Sequence, residues 1–289
     1  MEVIIQYIVN GLLLGGVYAL CALSLAVIYK STQIFNFAVG EIMAFGMFIA
    51  WSMMAFGIPV FASILIAIVA TTLLGWLIER IALRPLIGQP IIASIMATFA
   101  LLYILRGILL IIWRGLTSRY PQPLPGSNIK LGQIVFSNDL TWIFAISVVT
   151  IIAIVLFFQR TKLGLAMRAS AEHQQLAQAR GIPVSMVFSV TWMLAAFVCA
   201  IAGIFVAYRL GVSLEVSTVG LAAFPAVLLG GIDSIGGALV GGMIIGLSVS
   251  LTSGLIDPAM SNIAPFVILL IILLFKTEGL FGQKRIERI

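Results

Sequence analysis

An all-α fold, a polytopic bundle of about eight or nine transmembrane helices with one short or broken segment, is predicted by three observations. The 289-residue chain is 62% hydrophobic and only 9% charged, against about 25% charged residues in an ordinary soluble domain. Its mean hydropathy is +1.21. The apolar residues fall in separated runs of membrane-crossing length, and most basic residues gather between them. Polar surface this scarce cannot cover a water-soluble globule. The two cysteines, Cys21 and Cys199, lie inside apolar runs and exclude a disulfide scaffold. The net charge of +6 therefore reads as a topology signal and not as a nucleic-acid footprint.

A helical crossing takes roughly 20 apolar residues, because each residue rises about 1.5 Å through a core about 30 Å thick. The first such run is 4–29; it is too long for a signal-peptide core and is preceded only by Glu2, so it is expected to be retained. Further runs occupy 42–56, 60–78, 91–113, 140–158, 184–208, 235–255 and 263–275, with a shorter piece at 220–231. Eleven basic residues fall on one set of connections: Lys30, Arg80, Arg84, Arg160, Lys162, Arg168, Arg180, Lys276, Lys284, Arg285 and Arg288. Four fall on the other, Arg114, Arg119, Lys130 and Arg209, leaving Arg106 within a span. Basic loops stay cytoplasmic, so the C-terminus is expected inside and the N-terminus outside.

Parity adds a constraint. The loop 159–183 and the C-terminus both fall inside, yet only three full-length runs separate them. Either 220–231 also crosses as a short, protein-shielded helix, or a neighbouring run does not cross. The chain reads as a single transmembrane domain, 1–289, with an outer loop 114–139, an inside loop 159–183 and an inside tail 276–289. The proline-rich stretch 120–126 cannot be helical, and 129–136 reads as a short extended hairpin.

An inventory for catalysis finds little. There is one histidine, His173, and no metal-binding or nucleophile-elbow spacing; no phosphate-binding loop exists either. No catalytic residue, metal site or cofactor is expected. The pairs Gly11/Gly15, Gly237/Gly241 and Gly242/Gly246 place small residues four apart, as close helix packing requires. In the run Gly230-Gly-Ile-Asp-Ser-Ile-Gly-Gly237 the glycines suit a sharp reversal, with Asp233 as its local cap. Asn36 and Glu41 stand at the mouth of an apolar run; they either bind backbone at a helix start or face a pathway. Arg106 either snorkels outward or finds an interior partner. Residues 165–179 are strong helix formers ended by Gly181 and Pro183, which predicts one amphipathic inside helix.

Nearly the whole chain resembles the LivH-type permeases of branched-chain amino acid ABC importers. The resemblance rests on Gly11, Gly15, Tyr18, Ala19 and Leu20; on Asn36, Phe37, Ala38, Gly40 and Glu41; and on Glu79, Arg80, Arg84, Pro85 and Leu86. It continues through Thr161, Gly164, Arg168, Ala169, Ala177, Gly181 and Ile182, then Ala223, Phe224, Gly230, Gly231, Asp233, Ser234, Gly237 and Ala238, and ends in Glu278-Gly-Leu-Phe-Gly282. It implies that the inside helix docks into an ATPase, with Gly164, Arg168, Ala169, Glu172, Ala177, Gly181 and Ile182 at the coupling surface. Asn36, Phe37, Glu41, Thr98, Phe224, Gly230 and Gly231 are the candidate pathway or gate residues. Val39 departs from the histidine common in the family, and Thr277 from the proline.

The implied partners are two ATP-binding subunits, a related second permease in preference to a second copy, an external or periplasmic binding protein and membrane lipid. The implied place is the bacterial inner membrane. Branched-chain or related small amino acids are the implied cargo. An autonomous secondary transporter or channel for amides or urea stays open as an alternative, and would need mid-membrane titratable groups for coupling. A membrane-embedded enzyme would need a constellation that the chain lacks.

Overall fold

Residues 2–121, 129–131 and 134–282 are described by a computed structural model. The helices stand on the apolar runs: α1 (Glu2–Thr32), α2 (Val39–Ala55), α3 (Val60–Ile78), α4 (Ile91–Trp113) and α5 (Asn138–Arg160). After them come the short α6 (Lys162–Glu172) and α7 (Gln174–Ala179), then α8 (Val184–Leu210), α9 (Val216–Gly230), α10 (Ile235–Leu255) and α11 (Ala264–Phe275). Six of these, counting α3 with its extension to Leu86, are long and apolar enough to cross a membrane, while α2, α9 and α11 are shorter apolar helices. The expected hairpin is present, with β1 (Ile129–Leu131) antiparallel to β2 (Ile134–Phe136) and Ile129 opposite Phe136. Most of the proline-rich stretch and the tail beyond Gly282 lie outside the described residues.

α1 is apolar on all sides and buried nearly throughout from Val17 to Ile28, the condition of a helix at the centre of a bundle. Its strongest packing is against α10, where the paired glycines meet. A Cβ on Gly15 would fall 2.7 Å from Met243 Cα, and one on Gly242 would overlap the backbone of Ala19. Ser250 donates to the Tyr7 carbonyl at 2.8 Å and pins the far end of this seam.

The two ends of the bundle are tied differently. At the end rich in basic residues, Lys30 Nζ donates to the Asp233 carbonyl at 2.8 Å, joining α1 to the α9–α10 turn. At the opposite end Ser118 forms an antiparallel bridge with Val212, while the Tyr120 hydroxyl donates to the Met47 carbonyl at 3.2 Å. These ties fix direction. α8 runs toward the Ser118 bridge, α9 returns toward Lys30, and α10 and α11 repeat the excursion, so the short piece forms a helix of its own.

α9 carries Pro225 internally and is only 15 residues long. Its last carbonyls are satisfied from elsewhere in the chain: Leu280 N–H donates to Leu229 O at 2.8 Å, and Phe281 N–H to Gly230 O at 3.1 Å. The motif ending at Gly282 is thus a cap for α9. Gly231, at φ +96°, leaves no room for a Cβ beside Gly282. The cap of α10 is Ser234, whose Oγ accepts the Gly237 N–H at 2.9 Å; Asp233, expected in that role, contributes its backbone carbonyl to Lys30 instead.

The inside helix differs from the single helix expected over 165–179. His173, extended at φ −150° and ψ 98°, divides it into α6 and α7. The reason is packing in two directions. Gly164 of α6 lies against the Phe157 and Phe158 carbonyls of α5, whereas Ala177 of α7 packs with Ile34, Val184 and Phe188. One straight helix cannot serve both surfaces.

Candidate functional site

The first polar locus lies where α1 gives way to α2. Gln33, at φ +59°, closes α1 by donating to the Tyr29 carbonyl at 2.8 Å, and residues 34–37 run back into the bundle outside any helix. Such backbone survives at membrane depth only where protein satisfies it, and α4 does so through one side chain. Thr98 Oγ1 donates to the Phe35 carbonyl at 3.0 Å, shared with Ile95 O, and accepts the Phe37 N–H at 3.4 Å. Asn36 Oδ1 accepts the Ala38 N–H at 3.0 Å and closes the turn that precedes α2. Around this break the aromatic rings gather: Phe37 stacks on Phe99 at 4.0 Å and on Phe224 at 5.0 Å, with Phe35 6.4 Å from Phe224.

One turn into α2, Glu41 Oε1 accepts from Arg106 Nη1 at 3.4 Å. The interior partner of Arg106 is therefore Glu41. Its side chain is 4% exposed, that of Arg106 43%. Glu41 Oε2 and Asn36 Nδ2 are both buried and carry no hydrogen bond among the described residues. Of the candidate pathway residues, Asn36, Phe37, Thr98 and Phe224 thus come together, with Glu41 beside them. Gly230 and Gly231 do not join them; they sit at the α9–α10 turn under the C-terminal cap.

A second locus was not legible as a unit. α3 continues through a π turn, Glu79–Leu83, into a 3-10 turn, Arg84–Leu86. The wider π turn brings residues five apart onto one face. Arg84 Nε donates to Glu79 Oε1 at 3.1 Å, and Ser189 of α8 donates to Glu79 Oε2 at 2.6 Å. Arg84 Nη2 also donates to Ser189 Oγ at 2.8 Å. Glu79 is fully buried, so this clasp holds α3 to α8 through a completely ligated carboxylate. The sequence signal was Glu79 and Arg84 five apart just before Pro85; Ser189 gave none.

The third locus is the elbow α6–α7. Thr161 Oγ1 caps α6 by accepting the Gly164 N–H at 2.9 Å. Gly164 and Ala177 are buried in the chain's own packing, while Arg168, Ala169 and Ile182 are half-buried. Glu172 and Gly181 are exposed, and Gly181 holds φ +79°, a conformation that disfavours any side chain. Leu165 and Leu176, which sequence reasoning passed over, are 61% and 63% exposed and give the elbow an apolar outer surface. The α3–α4 loop faces the break at His173 across a cleft of about 460 Å³ lined by Gln89, Glu172, His173, Gln174 and Gln178. Among the described residues no group of three or more His, Cys, Asp or Glu side chains converges.

A bundle of apolar helices, interrupted by a polar break whose backbone Thr98 satisfies and carrying an exposed elbow at its basic end, defines a membrane transport subunit. The family model described as the branched-chain amino acid transport system permease component matches residues 7–273, and the chain belongs to that family. It is 28% identical over 300 residues to the high-affinity branched-chain amino acid transport system permease protein BraD of Pseudomonas aeruginosa, covering 99% of this chain and 98% of that protein. The permease protein LivH of Escherichia coli K12 is likewise 28% identical, over 99% and 97% of the two chains. The probable permease protein LivH of Methanocaldococcus jannaschii is 28% identical over 97% and 94%.

Proposed function

We propose that this chain is the permease subunit of an ABC importer that passes branched-chain or related small amino acids across the inner membrane. The family match over nearly the whole chain carries the reading. The elbow supports it from the structure: an apolar-tipped pair of helices at the basic end, anchored in α5 and α8, is suited to receive force from a separate ATPase. The basic end is cytoplasmic on the charge distribution, which puts the C-terminus inside and the N-terminus outside.

Two ATP-binding subunits, a related second permease and an external binding protein complete the transporter. The coupling surface comprises Arg168, Ala169 and Glu172 together with the exposed Leu165 and Leu176. Gly164, Ala177, Gly181 and Ile182 give the elbow its shape. The pathway runs along Asn36, Phe37, Glu41, Thr98 and Phe224, where the bundle's polar break occurs.

Reconstitution of this chain with those partners in proteoliposomes tests the reading. ATP-dependent uptake of labelled leucine, isoleucine or valine is expected, and uptake that persists without the ATPase subunits or the binding protein would overturn it. Arg168→Glu and Leu176→Glu should each lower uptake per ATP hydrolysed at least about fivefold with the membrane part still folded, as charge reversal and desolvated charge at a docking surface require. Wild-type coupling in both would remove the elbow from the docking surface.

A further inference from the structure

Arg106 stands about 22 Å along α4 from Ile91, taking 1.5 Å per residue. That is four residues past the middle of α4, where a half-exposed guanidinium facing lipid tails would cost up to about 2.5 kcal/mol. The face of α4 that bears it therefore meets water or protein. Phe99, Tyr103 and Arg106 are spaced four and three apart, so they form one stripe on that face, apolar at one end and charged at the other. Phe99 is the residue stacked on Phe37.

The ion pair itself is incompletely used. Arg106 makes a single contact of 3.4 Å to Glu41 and no other hydrogen bond among the described residues. A guanidinium carries five N–H donors, so most of its capacity is open. Glu41 Oε2 is buried and makes no hydrogen bond among the described residues; its polar neighbour is the Ser217 hydroxyl, which donates to the Leu214 carbonyl at 2.8 Å, and an unsatisfied buried polar group is costly. The Glu79–Arg84–Ser189 clasp shows the alternative: there both carboxylate oxygens are ligated and the guanidinium makes three donations.

We propose that Glu41 and Arg106 form a transient receptor for the two head-group charges of an α-amino acid in transit, with Phe37, Phe99 and Phe224 receiving its apolar side chain. This rests on the permease reading above and assigns the side chains that hold the cargo's two charges. Charge complementarity selects the occupant. A net anion or cation would leave one protein charge uncompensated, whereas a zwitterion gives its carboxylate to Arg106 and its ammonium to Glu41. A neutral amide or urea can hydrogen-bond to both groups but compensates neither charge once their internal contact is displaced, so it binds more weakly than the zwitterion. Exchanging one protein ion pair for two ligand pairs, each with its own desolvation cost, is close to balanced. Binding is then weak enough for release.

Saturation-transfer NMR on the assembled permease–ATPase complex, without binding protein, reads this weak site directly. L-leucine is expected to give a signal strongest at its methyl protons, and 4-methylpentanamide, the neutral amide of the same skeleton, at least a fivefold smaller one. Glu41→Gln and Arg106→Gln should each reduce the leucine signal at least fivefold, while Arg106→Lys keeps half or more. No leucine signal, equal signals for leucine and the amide, or a leucine signal unchanged in both glutamine variants would overturn the proposal. Should the variants fail to assemble, the comparison of ligands on the wild type decides alone. ATP-driven uptake by the same wild-type complex with its binding protein separates the two readings. Its absence defeats the permease assignment, whereas uptake together with equal leucine and amide signals defeats only this inference.

Discussion

Along the seam between α1 and α10, backbone meets backbone; across the face shared by α2 and α4, side chains meet with capacity to spare. The seam joins Gly11 and Gly15 to Gly242 and Gly246, with no room for a further carbon and no charge along it. α4, by contrast, buries one stripe only, Ser94, Thr98, Leu101, Leu105 and Leu109, and leaves Phe99, Tyr103 and Arg106 partly open. Close packing of small residues is what holds helices together where lipid supplies no hydrophobic drive. Loose packing beside a half-satisfied ion pair holds nothing together well. The difference teaches that in a chain this apolar, stability resides where polar groups are absent or fully bonded; the pathway proposed above lies where they are neither.

The sharpest way to break that comparison is to overfill the seam. Gly242→Leu would drive a side chain into the Ala19 backbone. Overpacking costs about 1–3 kcal/mol where side chains can yield, and more where backbone must move. Loss of monodisperse protein on size-exclusion chromatography is expected. Phe99→Leu, on the other face, should leave the melting temperature within about 2 °C, a shift worth about 1 kcal/mol in a chain of this size, while reducing uptake. A well-folded Gly242→Leu protein would show that the seam is not what holds α1 in place.

The clasp offers the next largest effect. Arg84→Ala leaves the fully buried Glu79 carboxylate without its cation, and breaking a buried pair from one side costs about 3–5 kcal/mol. Glu79→Gln removes the charge together with the need to compensate it, and should be milder. Thermal melts of the purified complex rank the two. Equal losses would mean that shape, and not charge, holds α3 to α8.

The helical skeleton was readable because hydropathy alone decides which segments can cross a bilayer, and each apolar run became a helix. What escaped reading had tertiary causes. The break at His173 arises because Gly164 and Ala177 pack on different helices. The role of Glu278–Gly282 emerges only once α9 is seen to end with unsatisfied carbonyls. Asn36, Phe37, Thr98 and Phe224 were legible as candidates, but not as one cluster. Glu41 and Arg106 are 65 residues apart in sequence, and no local pattern pairs charges at that separation. Arg84, counted among the residues that set orientation, turned out to be committed to Glu79.

Ser189→Ala is the smallest change and the most discriminating. It deletes the 2.6 Å donation to Glu79 Oε2 and the acceptor for Arg84 Nη2, yet leaves Arg84 facing Glu79. A hydrogen bond to a charged group is worth about 1.5–3 kcal/mol, and Arg84 Nη2, already 3.3 Å from that oxygen, can close on it and recover part of the loss. The melting temperature should therefore fall by less than in Arg84→Ala. ATP-driven uptake per folded complex should stay at the wild-type level, because a fully bonded clasp belongs with the seam as structure. If uptake falls while the melting temperature holds, the clasp transmits motion from the elbow through α8 to α3, and full satisfaction of a polar group would no longer separate the scaffold from the pathway.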